Sequence, residues 1–159
     1  YLTYVIAPTC AAWASGILPV STIGLATGIF VCVVSSIQFA RDDSKTERAF
    51  LGWPSYWNFL YFYGWGLGMS TVSPATIVGI SWLFGFATMI PIPFPYPSKF
   101  PVQKYVISLL GFVWGVLVLG FLLIPDFPKY LLVVSLIFPL YYLMLPLFYY
   151  EVLLGESDV

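Results

Sequence analysis

Histidine is absent from this 159-residue chain, and charged residues make up only 8% of it. The first absence removes imidazole from any acid–base or metal-binding scheme, leaving carboxylates, Lys, Tyr and Cys. The second removes the polar surface that a water-soluble domain needs. Six basic residues stand against seven acidic ones, and a net charge of −1 offers a nucleic acid no concentrated basic surface. Cysteine is scarce too. Cys10 and Cys32 fall inside apolar runs, where each reads as a small buried hydrophobe and not as a disulfide partner or metal ligand. The chain opens at Tyr1 without an initiator Met, a basic leader or a small-residue cleavage site. It does not begin like a signal peptide or a complete bacterial reading frame, so an upstream part is expected.

What is abundant is hydrocarbon: 60% of residues are apolar and mean hydropathy is +0.93. Uncharged runs cover residues 1–40, 49–98, 105–125 and 130–150. A helix needs about 20 apolar residues to cross a bilayer. The two 21-residue runs therefore hold one span each, and the 40- and 50-residue runs two each. The expected fold is all-α, a polytopic transmembrane helix bundle of about six segments forming a single domain over 1–159.

Helix breakers set the boundaries. A first segment over 1–14 ends at Ser15-Gly16 and is too short to cross alone; Pro19 can start the second, which runs to Phe39. A polar loop over 41–53 leads to a third segment at 54–69, and Pro74 opens a fourth that ends near Ile90. Five prolines between 91 and 101 cannot continue a helix and predict an extended loop. The fifth segment covers 103–123 and the sixth 130–150. Arg41, Lys45, Arg48, Lys99 and Lys104 share one side of this arrangement and only Lys129 lies on the other. The positive-inside bias therefore places the 41–53 loop, the 91–104 loop and the C-terminus in the cytoplasm. Trp53, Tyr56, Trp57, Tyr105, Tyr149 and Tyr150 suit an interfacial aromatic belt.

The most informative stretch, residues 36–58, packs charge, glycine, proline and aromatics at this membrane surface. Its order is Gln38-Phe39, then Asp43-x-Lys45-Thr46, then Phe50, then Gly52-x-Pro54-Ser55-Tyr56-Trp57-Asn58. It resembles the downstream half of bacterial phosphatidylcholine synthases, members of the CDP-alcohol phosphatidyltransferase family. The opening Tyr1-Leu-Thr-Tyr-Val is similar to the residues that follow the last aspartate of that family's signature, Asp-Gly-x2-Ala-Arg-x8-Gly-x3-Asp-x3-Asp, none of which is present here. The resemblance implies helices three to eight of an eight-helix fold, with this chain as the C-terminal part of a longer protein in a bacterial inner membrane. It further implies transfer of a phosphatidyl group from CDP-diacylglycerol to choline or a similar small alcohol, releasing CMP. Mg or Mn would be held by carboxylates this chain lacks, so no catalytic or metal residue is assigned in it. The implied partners are membrane lipids, the two substrates, and a second copy or a larger membrane complex.

The substrate-binding candidates are Arg41, Asp43, Lys45, Thr46, Ser55, Tyr56, Trp57 and Asn58. Each has a plainer reading. Arg41, Lys45 and Arg48 bind nucleotide or lipid phosphate, or simply mark the cytoplasmic loop. Asp42 and Asp43 would face about 100° apart on a helix and do not easily share a metal. Asn58 lies just inside a span, where an unpaired amide is costly, so a neighbouring helix or a substrate should satisfy it. Tyr56, Trp57, Tyr61, Tyr63 and Trp65 form a cation–π cage for a quaternary ammonium, or only interfacial packing. Gly64, Gly66, Gly68, Gly111 and Gly115 permit close helix approach. A rival class is a catalytically silent membrane subunit acting as a scaffold. A small transporter is weaker still, because no uncharged run holds the buried ionisable residue that ion coupling uses.

Overall fold

The computed structural model describes residues 1–69, 73–97, 99–100 and 103–154. Ser98, Pro101 and the last five residues, which the sequence reading assigns to the proline-rich loop and to a cytoplasmic C-terminus, lie outside them. The chain is mostly helical and divides into two compact units. The first comprises Tyr1–Ser44 and Leu51–Pro91, the second Lys45–Phe50 and Ile92–Val159.

In the first unit a π-helical turn, Leu2–Ile6, runs into α1 (Ala7–Ala14), followed by α2 (Thr22–Ala40), α3 (Trp57–Gly66) and α4 (Pro74–Met89). Helix α2 starts three residues after Pro19 because Ser21 supplies the cap, its Oγ accepting from Gly24 N–H at 3.4 Å. Pro74 occupies the first turn of α4, where its missing N–H has no helical partner to lose. Helices α2 and α4 pack through Phe30, stacked on Trp82 with centroids 4.2 Å apart. Trp82 Nε1 also donates to Thr27 Oγ1 at 3.0 Å. Gly64 lets α3 meet α4, since a Cβ there would lie 2.8 Å from Ile77 Cδ1.

The second unit contains a two-stranded sheet of β1 (Ala49–Leu51, whose last residue belongs to the first unit) and β2 (Pro93–Pro95), then α5 (Lys104–Leu123), α6 (Lys129–Ser135) and α7 (Ile137–Leu154). The extended proline-rich loop thus becomes a strand. Tyr142 of α7 holds it by donating to Pro95 O at 2.8 Å. Gly111 of α5 lies against Phe138 of α7, whereas a Cβ on Gly115 would meet nothing, so only the first serves packing. The sixth segment is two helices joined at Leu136, and α7 is interrupted again at Tyr149 (φ −129°, ψ 27°), three residues past Pro146.

Helices therefore stand at all six expected places, but among the described residues three are long and apolar enough to cross a membrane: Thr22–Ala40, Lys104–Leu123 and Lys129–Glu151. Leu2–Ala14 and Pro74–Met89 are shorter apolar helices. Large hydrophobic side chains such as Leu109, Phe112, Leu123 and Phe148 are exposed, the dressing of a membrane protein. Cys10 is exposed and Cys32 half-buried, so neither is the buried core residue the sequence suggested.

Candidate functional site

The turn from Gly52 to Asn58 owes its shape to three backbone constraints. Gly52 has φ +88°, and a Cβ on it would run into the Thr88 carbonyl oxygen and lie 2.9 Å from Gln38 Nε2. Ser55 N–H donates to Trp53 O at 2.8 Å and Trp57 N–H to Ser55 O at 2.9 Å. These are two successive i→i+2 turns, the second centred on Tyr56 at φ −78°, ψ 53°. Ser55 itself sits at φ 56°, a left-handed conformation that a non-glycine residue adopts only when its surroundings hold it there.

What holds it is a buried polar network. Ser55 Oγ donates to Gln38 Oε1 at 2.8 Å and lies 3.1 Å from Ser35 Oγ, which accepts from Trp57 Nε1 at 2.8 Å. Gln38 Nε2 donates to Trp53 O at 2.9 Å and to Leu51 O at 3.3 Å. A hydroxyl has one proton, so once Ser55 donates to Gln38, Ser35 is left to donate to Ser55. The donors then run one way, from Trp57 through Ser35 and Ser55 to Gln38. All four residues are fully buried, so each hydrogen bond replaces water that is not there.

The structure separates the predicted site residues. Ser55 and Trp57 are the centre of that network. Tyr56 precedes α3, its ring 6.5 Å from Tyr4 and 5.8 Å from Phe59. Arg41 and Asp43 pair with each other, Nε and Nη2 donating to the two carboxylate oxygens at 2.8 Å each. The guanidinium holds the Asp43 carboxyl below the usual carboxylate range. Lys45 and Thr46 belong to the second unit. There Lys45 bridges to Phe50, and Thr46 Oγ1 accepts from Ala49 N–H at 3.0 Å, closing the turn before β1. The five aromatics do not converge on one point: Trp57, Tyr61 and Tyr63 are buried, while Trp65 is exposed beside Phe62.

Asn58 Oδ1 is buried and finds no hydrogen-bond partner among the described residues; neither do Thr9 Oγ1 and Tyr61 Oη. The Tyr61 hydroxyl faces Ser81 and Thr9 without hydrogen-bond geometry to either. Ser81 is engaged elsewhere, donating to Ile77 O at 2.7 Å. Unpaired buried groups cost about 1–3 kcal/mol each, so these atoms are where the first unit has hydrogen-bonding capacity left for a hydroxyl, an amide or water. Sequence reasoning missed Ser35, Thr9 and the structural part of Gln38. The legible signal was Ser35 and Gln38 three residues apart on one face of a largely apolar helix. Among the described residues no three His, Cys, Asp or Glu side chains come together to hold a metal.

The chain is similar to three curated proteins named phosphatidylcholine synthase. That of Agrobacterium fabrum is 30% identical over 115 residues, 72% of this chain and 46% of the relative. That of Rhizobium johnstonii is 28% identical over 139 residues, 86% and 56%. That of Rhizobium meliloti is 30% identical over 118 residues, 74% and 47%. The chain spans about half the length of these relatives. No family model and no solved structure matches it.

Proposed function

We propose that this chain is the membrane-embedded part of a phospholipid-synthesising transferase of the CDP-alcohol phosphatidyltransferase family. It serves transfer of a phosphatidyl group from CDP-diacylglycerol to choline or a similar small alcohol, with release of CMP. The observation that carries this reading is the similarity to three phosphatidylcholine synthases. The proposal includes six membrane segments as helices three to eight of the family fold, in a bacterial inner membrane with the 41–53 and 91–104 loops in the cytoplasm. It also includes Mg or Mn. The described residues do not form a site for either ion.

This chain's share of the work is positioning. The network from Trp57 to Gln38 fixes the Gly52–Asn58 turn, and the unpaired Asn58, Tyr61 and Thr9 oxygens are where an alcohol hydroxyl would be held. The acceptor capacity is chemically suited to an O–H donor.

One rival is a catalytically silent scaffold subunit of a larger membrane complex. A single assay separates the two. Membranes containing the complete gene product are given radiolabelled choline, CDP-diacylglycerol and Mn²⁺ or Mg²⁺. Labelled phosphatidylcholine with matching CMP release is expected. No label, in membranes where an active phosphatidylcholine synthase does produce it, overturns the transferase reading and leaves the scaffold. Within an active protein, Asn58→Ala and Lys45→Ala are expected to raise KM for choline and for CDP-diacylglycerol respectively.

A further inference from the structure

The second unit contains a cavity of about 380 Å³ lined by Gln103, Tyr141, Met144, Leu145, Phe148 and Tyr149. That volume is at the small end of ligand pockets, which run roughly 300–1,000 Å³. Its construction follows from the break in α7: Pro146 withholds an N–H from the helix ladder, and the chain leaves helical geometry at Tyr149.

The cavity has a polar end and an apolar side. At the polar end Tyr141 Oη donates to Gln103 Oε1, and Gln103 Nε2 donates to Tyr149 Oη at 2.5 Å. Tyr149 thus accepts a hydrogen bond while its own proton is committed to no described residue. The Phe100 ring, edge-on with centroids 5.3 Å apart, fixes the phenol in place. On the apolar side Met144 and Phe148 are exposed and Leu145 is buried. A ligand satisfying both ends is an amphiphile with a hydrogen-bond acceptor at its head.

The charges select among amphiphiles. Lys104 follows Gln103 in the chain and Lys99 precedes Phe100, so two lysines are next in sequence to two residues that contact Tyr149. Their ammonium groups rest over the Tyr105 and Tyr96 rings, at 5.0 and 5.6 Å from the centroids, and neither meets a carboxylate among the described residues. Among the described residues no acidic side chain lines the cavity, and Glu151, two residues past Tyr149, is exposed.

The geometry points to a binding notch for a single anionic phospholipid. A phosphate oxygen accepts from the Tyr149 hydroxyl, Lys99 and Lys104 on the segments that carry Phe100 and Gln103 supply the positive charge, and an acyl chain lies along Met144, Leu145 and Phe148. This draws on the second unit alone and does not depend on the enzymatic reading.

Native mass spectrometry of the detergent-purified protein, titrated with dioleoylphosphatidylglycerol or dioleoylphosphatidylcholine, tests it. One phosphatidylglycerol should be retained, about tenfold tighter than phosphatidylcholine, given two lysines near the head. Tyr149→Phe should weaken phosphatidylglycerol about tenfold by removing a hydrogen bond to a charged acceptor. Met144→Trp should fill the notch from its exposed side and abolish retention. Equal retention of the two lipids, or phosphatidylglycerol binding indifferent to both variants, overturns the notch. Should either variant lose its helical circular dichroism, Lys99→Ala with Lys104→Ala replaces it. That pair must lower the preference for phosphatidylglycerol, and an unchanged ratio overturns the proposal equally.

Discussion

Trp57 Nε1 donates to Ser35 Oγ at 2.8 Å, fastening α3 to α2 where no water is available to either group. Ser35→Ala leaves the indole N–H buried without an acceptor, which costs about 1–3 kcal/mol. Thermal unfolding in detergent should show that loss, and Trp57→Phe combined with Ser35→Ala should cost less than the two single changes added together. Strict additivity would mean the two side chains are not coupled.

Gly52→Ala meets two penalties at once. Its φ of +88° is costly for any L residue, by about 1–2 kcal/mol, and the new methyl is driven against the Thr88 carbonyl. A total of at least about 2 kcal/mol is expected. Limited proteolysis should then cut the 41–53 loop faster than in the parent protein. Unchanged cleavage and stability would show that the turn adopts another shape.

Tyr61→Phe should behave in the opposite way. Its hydroxyl is buried without a hydrogen-bond partner, so removing the oxygen leaves stability unchanged or raises it by up to about 1 kcal/mol. Choline incorporation, in contrast, should fall about tenfold if that oxygen holds the acceptor hydroxyl. A variant with normal turnover would restrict Tyr61 to packing.

The Arg41–Asp43 pair makes a pH prediction whose sign follows from the lowered Asp43 pKa. A depressed carboxylate contributes above the ordinary aspartate value of about 3.9, and its contribution is lost as pH falls through its own lower midpoint. Carboxyl carbon NMR should place that midpoint below the ordinary value and return it upward in Arg41→Gln. Both groups are exposed, so global stability should hardly change. A midpoint that ignores the substitution would mean the ion pair does not persist in solution.

Much of the helical plan was legible because proline, glycine and charge interrupt long apolar runs, and those interruptions are local. The start of α3 was not: the sequence suggests Pro54, yet the helix waits until Trp57 because Ser55 is held left-handed by partners on α2. Such a turn is decided by tertiary hydrogen bonds. The sequence asks for a neighbouring helix or a substrate to satisfy Asn58, and its buried Oδ1 has no hydrogen-bond partner among the described residues. Lys45 and Thr46, adjacent in sequence to Asp43, fall into a different compact unit, a division that contacts across the 45–50 and 92–97 segments create and that linear spacing cannot reveal. The unbroken sixth segment hid a joint at Leu136, where no breaker stands.

Helix α5 has Ile107 as its one buried residue, and its 20 residues reach about 30 Å end to end. That equals the hydrocarbon depth of an ordinary bilayer, so the rod has no spare length with which to lean. A thicker membrane would have to pucker inward around it or pull Lys104 beneath the headgroups. Acyl-chain length thereby becomes a mechanical input to whatever this protein does.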